Sequence, residues 1–559
     1  MRNNIFLKKF ERFLSNNFLI HVHQANQWVN RLLLLLLFSC FFTNSGAQVQ
    51  PVTTIGNSTS PNKIRVACVG NSITYGGGLK DKANESYPAV LQKMLGEKYE
   101  VRNFGRNGAT LLTKGSNPYV NTDEFQKAIA FNPDIVIIDL GINDTGPKVW
   151  PNFNDDFTSD YIHLIQKFKA LKANPDIRVC LMTPYFNQSK RFKTELRDGY
   201  WEVQEDIQIV AQSVKTGLID LHAPLYTKPH LFSDGVHPDK EGAQIIAKTI
   251  YSAVSGDYGG LSVAEVFGSH MVLQRNKAIP VWGKANRHQE VAVSFAGETL
   301  QAKADMNGNW KVSFPARKEG GPFDIKISSG EKVIIFQDVL IGEVWICSGQ
   351  SNMAFKLSEA ATASQDIPLA TDPDIRLFSM KTVDKSIKDV WDSSVLERIN
   401  NLEYEGGIWE KCTPQSASDF SAVAYYFGKK LRSELHVPVG LIHNAKGGSP
   451  AEAWIDRNTL EFDPLLADIF QDWKKNPMIT PWCRERAIYN TGNAENPLQR
   501  HPYEPSYLFE TCMKPWIGFP VKGAIWYQGE ANVHNVKLHT ALFASLMRSW
   551  RKYWGIDFP

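Results

Sequence analysis

Between Lys63 and Gly256 two textures alternate along the chain. Apolar runs, IRVACV (64–69), YEVRNF (99–104), DIVIIDL (134–140), IRVCLMT (177–183) and GLIDL (217–221), are separated by stretches such as YPAVLQKMLGE and YIHLIQKFKALKA. Near-continuous Val/Ile/Leu runs suit strands buried on both faces, and apolar residues recurring every three or four positions suit helices packed across them. The pattern predicts a doubly wound parallel-sheet α/β domain over residues 63–256, with its ligand crevice at the carboxyl ends of the strands. After SGDYGG (255–260) the runs shorten to MVLQR, AIPVWGKA, EVAVSFAG, ETLQAKADMNGNWKVSF and PFDIKISSG, separated by turn residues. These predict a small β-sandwich over 261–340, with NGNW (307–310) as a hairpin turn.

From Ile341 the α/β texture returns with IGEVWICSGQSNM. A polar stretch (358–418) reads as irregular, and then come a helix SAVAYYFGKKLRSEL, a strand VGLIHNA, a helix ending near Trp516, a strand GAIWYQ and a last helix HTALFASLMRSWRKYWG. Only three strands of a second sheet are predicted, so residues 341–559 read as a second, incomplete α/β domain. An echo links the two halves: CVGNSIT and CSGQSNM each place Cys-x-Gly-x-Ser at a strand end.

Composition changes this picture only at the N-terminus. The chain is 43% apolar and 21% charged, ordinary values for a globular protein. Its net charge of +3 owes most to residues 1–47, which hold five basic residues and one acid, so the remainder is near −1. That balance gives no electrostatic reason to expect a nucleic-acid partner. Arg31 precedes LLLLLLFSCFF (32–42), an apolar run of signal-peptide length, and Ser45 and Ala47 stand at the −3 and −1 positions before Gln48. The run is short for a membrane span, which takes about 20 apolar residues. Residues 1–47 are therefore expected to be a signal peptide, and the mature chain to have no span and to be exported to the periplasm or the exterior. Lipidation of Cys40 is the alternative, which Phe38, Phe41 and Phe42 fit less well. The remaining cysteines lack CxxC or Cys/His ligand spacing, so no metal is expected. Cys68, Cys180 and Cys347, in apolar runs, read as buried free thiols.

Candidate chemistry gathers at the predicted strand ends. A serine hydroxyl needs a neighbouring base, usually a histidine held by a carboxylate. Ser72 follows the first strand, and SDGVHP supplies Asp234 and His237, three residues apart and just before a helix beginning around Pro238. The carboxylate can thus orient one imidazole nitrogen while the other faces the serine. Acyl transfer also needs donors aimed at the developing oxyanion. Gly105 in NFGRNGAT, after the second strand, can offer a backbone N–H, and Asn143 in LGIND, after the third, a side-chain amide. A phosphate-binding loop is excluded because no Gly-Lys-Ser/Thr follows the strand, and a dinucleotide site because GNSITYGGG lacks the GxGxxG spacing.

In order, GNSIT, the Gly105 loop, GIND and DGVHP resemble the four sequence blocks of SGNH (GDSL-type) hydrolases over about residues 63–255. The resemblance implies Ser72 as nucleophile, an oxyanion hole of the Ser72 and Gly105 N–H groups with Asn143, and Asp234–His237 as the remaining dyad. EVWICSGQSNMAF (343–355), NAKGGSPAEAWI (444–455) and GAIWYQGEAN (523–532) resemble the blocks of sialate O-acetylesterases and related carbohydrate acetylesterases, a branch of the same fold carrying a β-sandwich. This second resemblance covers about 261–559. It implies Ser351 as nucleophile, Gly448 as an oxyanion-hole donor and Gln528 in the block equivalent to GIND. Lys446 stands where that family usually has an aromatic residue. The family's Asp and His blocks have no counterpart before Pro559, so the second domain is expected to be either truncated at its C-terminal end or degenerate. His534 and His539 read as solvated or helix-face residues.

The resemblances imply an exported serine esterase that removes O-acetyl groups from carbohydrate, without a cofactor. O-acetylated sialic acid, on sialylated glycans, is the substrate class suggested first. Acetylated plant polysaccharide such as xylan is the alternative, and a glycan-binding protein with vestigial esterase motifs is the competing non-enzymatic reading. Trp409, Trp454, Trp482 and Trp526 could stack on sugar rings, but core positions are the simpler assignment for all four.

Overall fold

The computed structural model describes residues 63–186, 195–384 and 386–559. The expected signal peptide, with Cys40, lies outside these residues. Among the described residues no helix is long and apolar enough to cross a membrane.

All five predicted strands of the first unit form: β1 (Ile64–Gly70), β2 (Tyr99–Gly105), β3 (Ile135–Asp139), β4 (Asp176–Leu181) and β5 (Gly217–Asp220). They make one parallel sheet in the order β2-β1-β3-β4-β5. Val66–Val69 of the interior strand β1 are fully buried, as an unbroken apolar run requires. Helices Tyr87–Leu95, Asp123–Phe131, Phe157–Lys169, Glu195–Ser213 and Lys240–Ser255 connect and cover the strands. The last helix starts two residues after the predicted Pro238, because the Asp239 carboxylate takes the N-cap and accepts the Gly242 N–H at 3.0 Å. Strand order reverses at β1, the switch point where α/β sheets open a crevice. Ser72 follows β1 directly.

The sandwich is built from β6 (Ser262–Val263), β7 (Val272–Gln274), β8 (Ile279–Lys284), β9 (Glu290–Phe295), β10 (Glu298–Lys303), β11 (Asn309–Phe314), β12 (Gly320–Ser329) and the first part of β13 (Lys332–Gly349). One layer runs β11-β8-β6, and the other runs β10-β9-β12-β13 with β7 beside β13. NGNW is not a hairpin between paired strands. β10 pairs with β9 and β11 with β8, so the turn carries the chain from one layer to the other. Asp305 shapes it, accepting the N–H groups of Asn307 and Asn309 at 2.8 Å each, an Asx turn in place of a ladder.

Three further strands return beside β13: β14 (Asp372–Thr382), β15 (Tyr404–Cys412) and β16 (Val439–Ala445), with β17 (Gly523–Tyr527) on the other side. Their order is β17-β13-β16-β14-β15. β14 and β15 occupy the stretch expected to be irregular. Asp372, Asp374 and Arg376 interrupt the apolar run of β14, and the β14–β15 ladder shifts register near Gly406, whose φ is 88°. Both features erase the period-two signal. The boundary expected at 340/341 falls inside β13, which pairs with β12 at one end and with β16 and β17 at the other. A large hydrophobic cluster accordingly runs from Leu261 to Phe558, with a smaller one between Cys347 and Leu441, both separate from the cluster Val66–Val254 of the first unit. On the side of β17 away from β13, the Pro559 carbonyl accepts the Ala524 N–H at 2.9 Å.

Candidate active site

The turn after β1 is tied to the end of β3. Asn71 caps the short helix Ser72–Tyr75, its Oδ1 accepting the Ile73 N–H at 2.8 Å while its Nδ2 donates to the Asp139 carbonyl at 2.9 Å. This leaves the Ser72 side chain half-buried at the sheet's edge. Its Oγ lies 2.9 Å from His237 Nε2, and His237 Nδ1 lies 2.7 Å from Asp234 Oδ2. Three residues from the first and last of the four sequence blocks thus meet in one hydrogen-bonded line. Asp234 Oδ1 accepts the N–H groups of Val236 (2.9 Å) and His237 (2.8 Å), so one carboxylate fixes both the loop and the ring. Partial burial pushes the Asp234 carboxyl up, but the bonds from His237 and Val236 outweigh it, and the net shift is downward. The carboxylate is thereby kept as an acceptor for an imidazolium. The glycine-rich stretch after Ser72 has a steric role here: a Cβ on Gly77 would come within 3.0 Å of the His237 ring.

Asn143 also reaches this rim. Its Nδ2 donates to the Ala109 carbonyl at 3.0 Å, and neighbouring Asp144 accepts the Leu111 and Leu112 N–H groups at 2.9 and 2.8 Å. The loops after β2 and β3 are pinned together. Gly105 does not take its expected place. Its N–H is donated to Asn103 Oδ1 at 2.9 Å, and a Cβ there would run within 2.2 Å of the Tyr75 amide nitrogen. The glycine is needed for close packing of β2 under the Ser72 helix. The turn that follows, closed by Ala109 N–H to the Arg106 carbonyl at 3.1 Å, contains Gly108 at φ 72°. Gly108 is the glycine of this block that adjoins the Asn143 contact, and the NGAT spacing was the available sign of it.

Around Ser351 the chemistry differs. The hydrogen bond to Ser351 Oγ among the described residues comes from Gln350 Nε2, at 3.3 Å. Gln350 Nε2 also donates to Glu530 at 3.0 Å. Gln528 Nε2 donates to Gln350 Oε1 (3.0 Å), the Ser449 carbonyl (3.1 Å) and Asn532 Oδ1 (3.1 Å). Asn532 in turn donates to buried Glu452 at 2.8 Å, and burial pushes that carboxyl up to about 7. Ser351 and Gln528 are therefore brought into one network. Gly448 lies under the Trp482 ring, whereas Gly447 borders Ser351, a Cβ there reaching 3.9 Å from the Ser351 Cβ. His534 Nε2 points to the Met478 carbonyl at 3.1 Å, away from Ser351's network. Lys446, the unusual residue of its block, pairs at 2.5 Å with buried Asp384. Of the four tryptophans, Trp409 and Trp454 are core, Trp526 is partly buried, and Trp482 is 42% exposed.

Residues 68–245 match the GDSL-like Lipase/Acylhydrolase family. The acetylxylan esterase of Xylanibacter ruminicola is 36% identical to this chain over 210 residues, covering 34% of this chain and 43% of that protein. The sialate O-acetylesterase of Mus musculus is 28% identical over 333 residues, covering 55% and 59%, and that of Homo sapiens 26% identical over 311 residues, covering 52% and 53%. The chain thus spans between 43% and 59% of these relatives. A solved carbohydrate acetylesterase from Xanthomonas citri superposes with a TM-score of 0.41 at 31% identity, over 53% of this chain and 58% of that one.

Proposed function

We propose, for a chain whose residues 68–245 are a GDSL-like lipase/acylhydrolase domain, that it is a serine esterase removing O-acetyl groups from carbohydrate. The observation carrying this reading is the line Ser72–His237–Asp234, at 2.9 and 2.7 Å. Ser72 Oγ attacks the acetyl carbonyl carbon while its proton passes to His237 Nε2. The imidazolium, held by Asp234, returns that proton to the departing sugar oxygen as the tetrahedral intermediate collapses to acetyl-Ser72. Water then attacks the acyl carbon, giving its proton to His237, and acetate leaves as Ser72 regains its hydrogen. We assign oxyanion stabilisation to the Ser72 N–H, the Asn143 amide and the turn containing Gly108, in place of Gly105. Ser351 is given no step in turnover, because the Gln350 amide that meets it donates a hydrogen bond and cannot take a proton.

O-acetylated sialic acid is the first substrate in this reading, since the sialate O-acetylesterases align over more than half of the chain. Acetylxylan is the second, supported by the 36% identity to an acetylxylan esterase. Export is part of the proposal through the apolar run Leu32–Phe42. Acetate release from 9-O-acetylated sialic acid and from acetylxylan, by wild type and Ser72→Ala, tests the whole reading. Release abolished in Ser72→Ala supports it. Unchanged release in that variant overturns the nucleophile, and glycan binding without release by wild type favours a binding protein.

A further inference from the structure

The segment carrying Asp234 and His237 is held from outside its own unit. The Leu231 carbonyl accepts the Asp239 N–H at 2.8 Å, closing a loop with the dyad inside it. Just upstream, two carbonyls of the same segment accept bonds from the second unit. Thr227 receives Arg500 Nη1, and His230 receives Asn496 Nδ2 at 2.9 Å. The other flank is braced as well. The Phe186 N–H donates to the Gly235 carbonyl, between Asp234 and His237, at 3.0 Å. The Phe186 ring meets that of Phe232 at 5.0 Å and has the Arg457 guanidinium 5.4 Å from its centroid. Tyr226 donates to Glu461 at 3.3 Å.

These second-unit groups are themselves locked. Arg500 is fully buried, with Nε on Glu504 and Nη2 on Glu510 at 2.8 Å each, and Arg457 lies 3.5 Å from Glu510. Shifting either guanidinium would leave carboxylates unpaired in a low-dielectric interior, which is strongly disfavoured. The cluster is therefore a rigid abutment on one side of a loop whose other side, through Leu231, Phe232 and Val236, is buried in the first unit's core.

We propose that Arg500 and Asn496 are positioning residues for the Asp234–His237 dyad, so that the second unit sets the geometry of the first unit's imidazole. This rests on the assignment of Ser72 as nucleophile. Its value to the enzyme lies in precision, since a misplacement of about 1 Å can cost about 100-fold in rate.

The test uses the full chain and two readouts: steady-state kinetics on an acetyl ester, and the rate at which a fluorophosphonate labels Ser72. Asn496→Asp is isosteric and keeps the acceptor for the Leu498 N–H at 2.8 Å, but it has no donor for His230. It is expected to lower kcat by roughly 10- to 100-fold with KM within about twofold, and to slow labelling in parallel. Arg500→Lys, which retains a cationic donor, is expected to keep more activity than Arg500→Met. Wild-type kcat and labelling rate in folded Asn496→Asp overturn the proposal, as does a lowered melting temperature with kcat per folded molecule unchanged. Wild type that turns over ester without labelling at Ser72 overturns the nucleophile assignment itself, a failure visible before any variant at 496 or 500 is made.

Discussion

In the first unit β1 ends at Gly70, opposite Gly105 of β2 and Asp139 of β3; in the second, β13 ends at Gly349, opposite Ala445 of β16 and Tyr527 of β17. Each central strand is thus followed by a serine two residues on, flanked by one parallel strand on either side. Beyond that core the sheets grow in opposite directions. The first adds β4 and β5 next to β3, and the segment after β5 brings Asp234 and His237 back to Ser72. The second adds β14 and β15 next to β16, and among the described residues β17 pairs only with β13. Ser351 meets the Gln350 amide and Ser72 meets an imidazole. A strand-end serine is therefore only a hydroxyl on display, and its chemistry is set by the groups that other segments bring to it, as the segment after β5 does for Ser72.

The sharpest way to break this comparison is to remove each hydroxyl separately. Ser72→Ala should lower kcat on an acetyl ester by roughly 10⁶-fold, the scale on which a nucleophile belonging to a triad acts. Ser351→Ala should leave kcat within about twofold, because among the described residues its hydroxyl meets the Gln350 amide and not a base. The reverse ranking would show that the two units have been assigned the wrong way round. Next in size is Asp234→Asn, for which the loss should be about 10⁴-fold through a misdirected imidazole tautomer. Measuring it beside His237→Ala shows whether the carboxylate acts only through the ring, since the double variant should then be little worse than the worse single one.

Much of this arrangement could be read from the residues, and where it could not the reason is local. Five apolar runs gave five strands, most plainly β1 and β3, whose interiors are buried on both faces; β2, at the sheet edge, carries the exposed Arg102 and Asn103. Ser72, Asp234 and His237 were visible because each follows a strand or precedes a helix at a spacing that chemistry requires. β14 and β15 were hidden because buried Arg376 on β14 is neutralised by Asp338, which it contacts at 3.0 Å. A pair made across 38 residues leaves no periodic trace. Gly105 stands at the strand end, where an oxyanion donor is expected, yet that position is consumed by packing against Tyr75. The break at 256–261 was legible as a change of texture. That at 340/341 was not a break at all, since a strand shared by two layers looks in sequence like two strands.

A smaller effect sharpens the description of the first unit's oxyanion site. Asn143→Ala should reduce kcat by about 10²- to 10³-fold with little change in KM, as expected when a donor acts on charge that develops only in the transition state. Gly105→Ala should instead act through packing, lowering the melting temperature as the Ser72 helix is displaced from β2. If Asn143→Ala raised KM and left kcat alone, its amide would be a ground-state contact, and the donors would have to be sought entirely in the backbone.

The two units also differ in how their carboxyl groups respond to pH. Asp234 is shifted down, so the stability it contributes is present above the ordinary carboxylate range and lost as pH falls through its folded value. Glu452, in the Ser351 network, is pushed up by burial from 4.5 to about 7. Between those values the unfolded chain releases a proton that the folded one retains, so this contribution is complete below about pH 4.5 and declines as pH rises to about 7. Asp139 and Asp144 of the first unit are raised to about 7 by burial as well, so the whole-chain profile mixes both units and only a difference isolates Glu452. Glu452→Gln keeps an oxygen for Asn532 and cannot ionise. Its melting temperature relative to wild type should therefore rise between pH 4.5 and 7, by an amount corresponding to at most about 3 kcal/mol, while kcat at Ser72 stays unchanged. A flat difference would mean that Glu452 is ionised in the fold, and that the Gln350–Gln528–Asn532 network is organised around an anion.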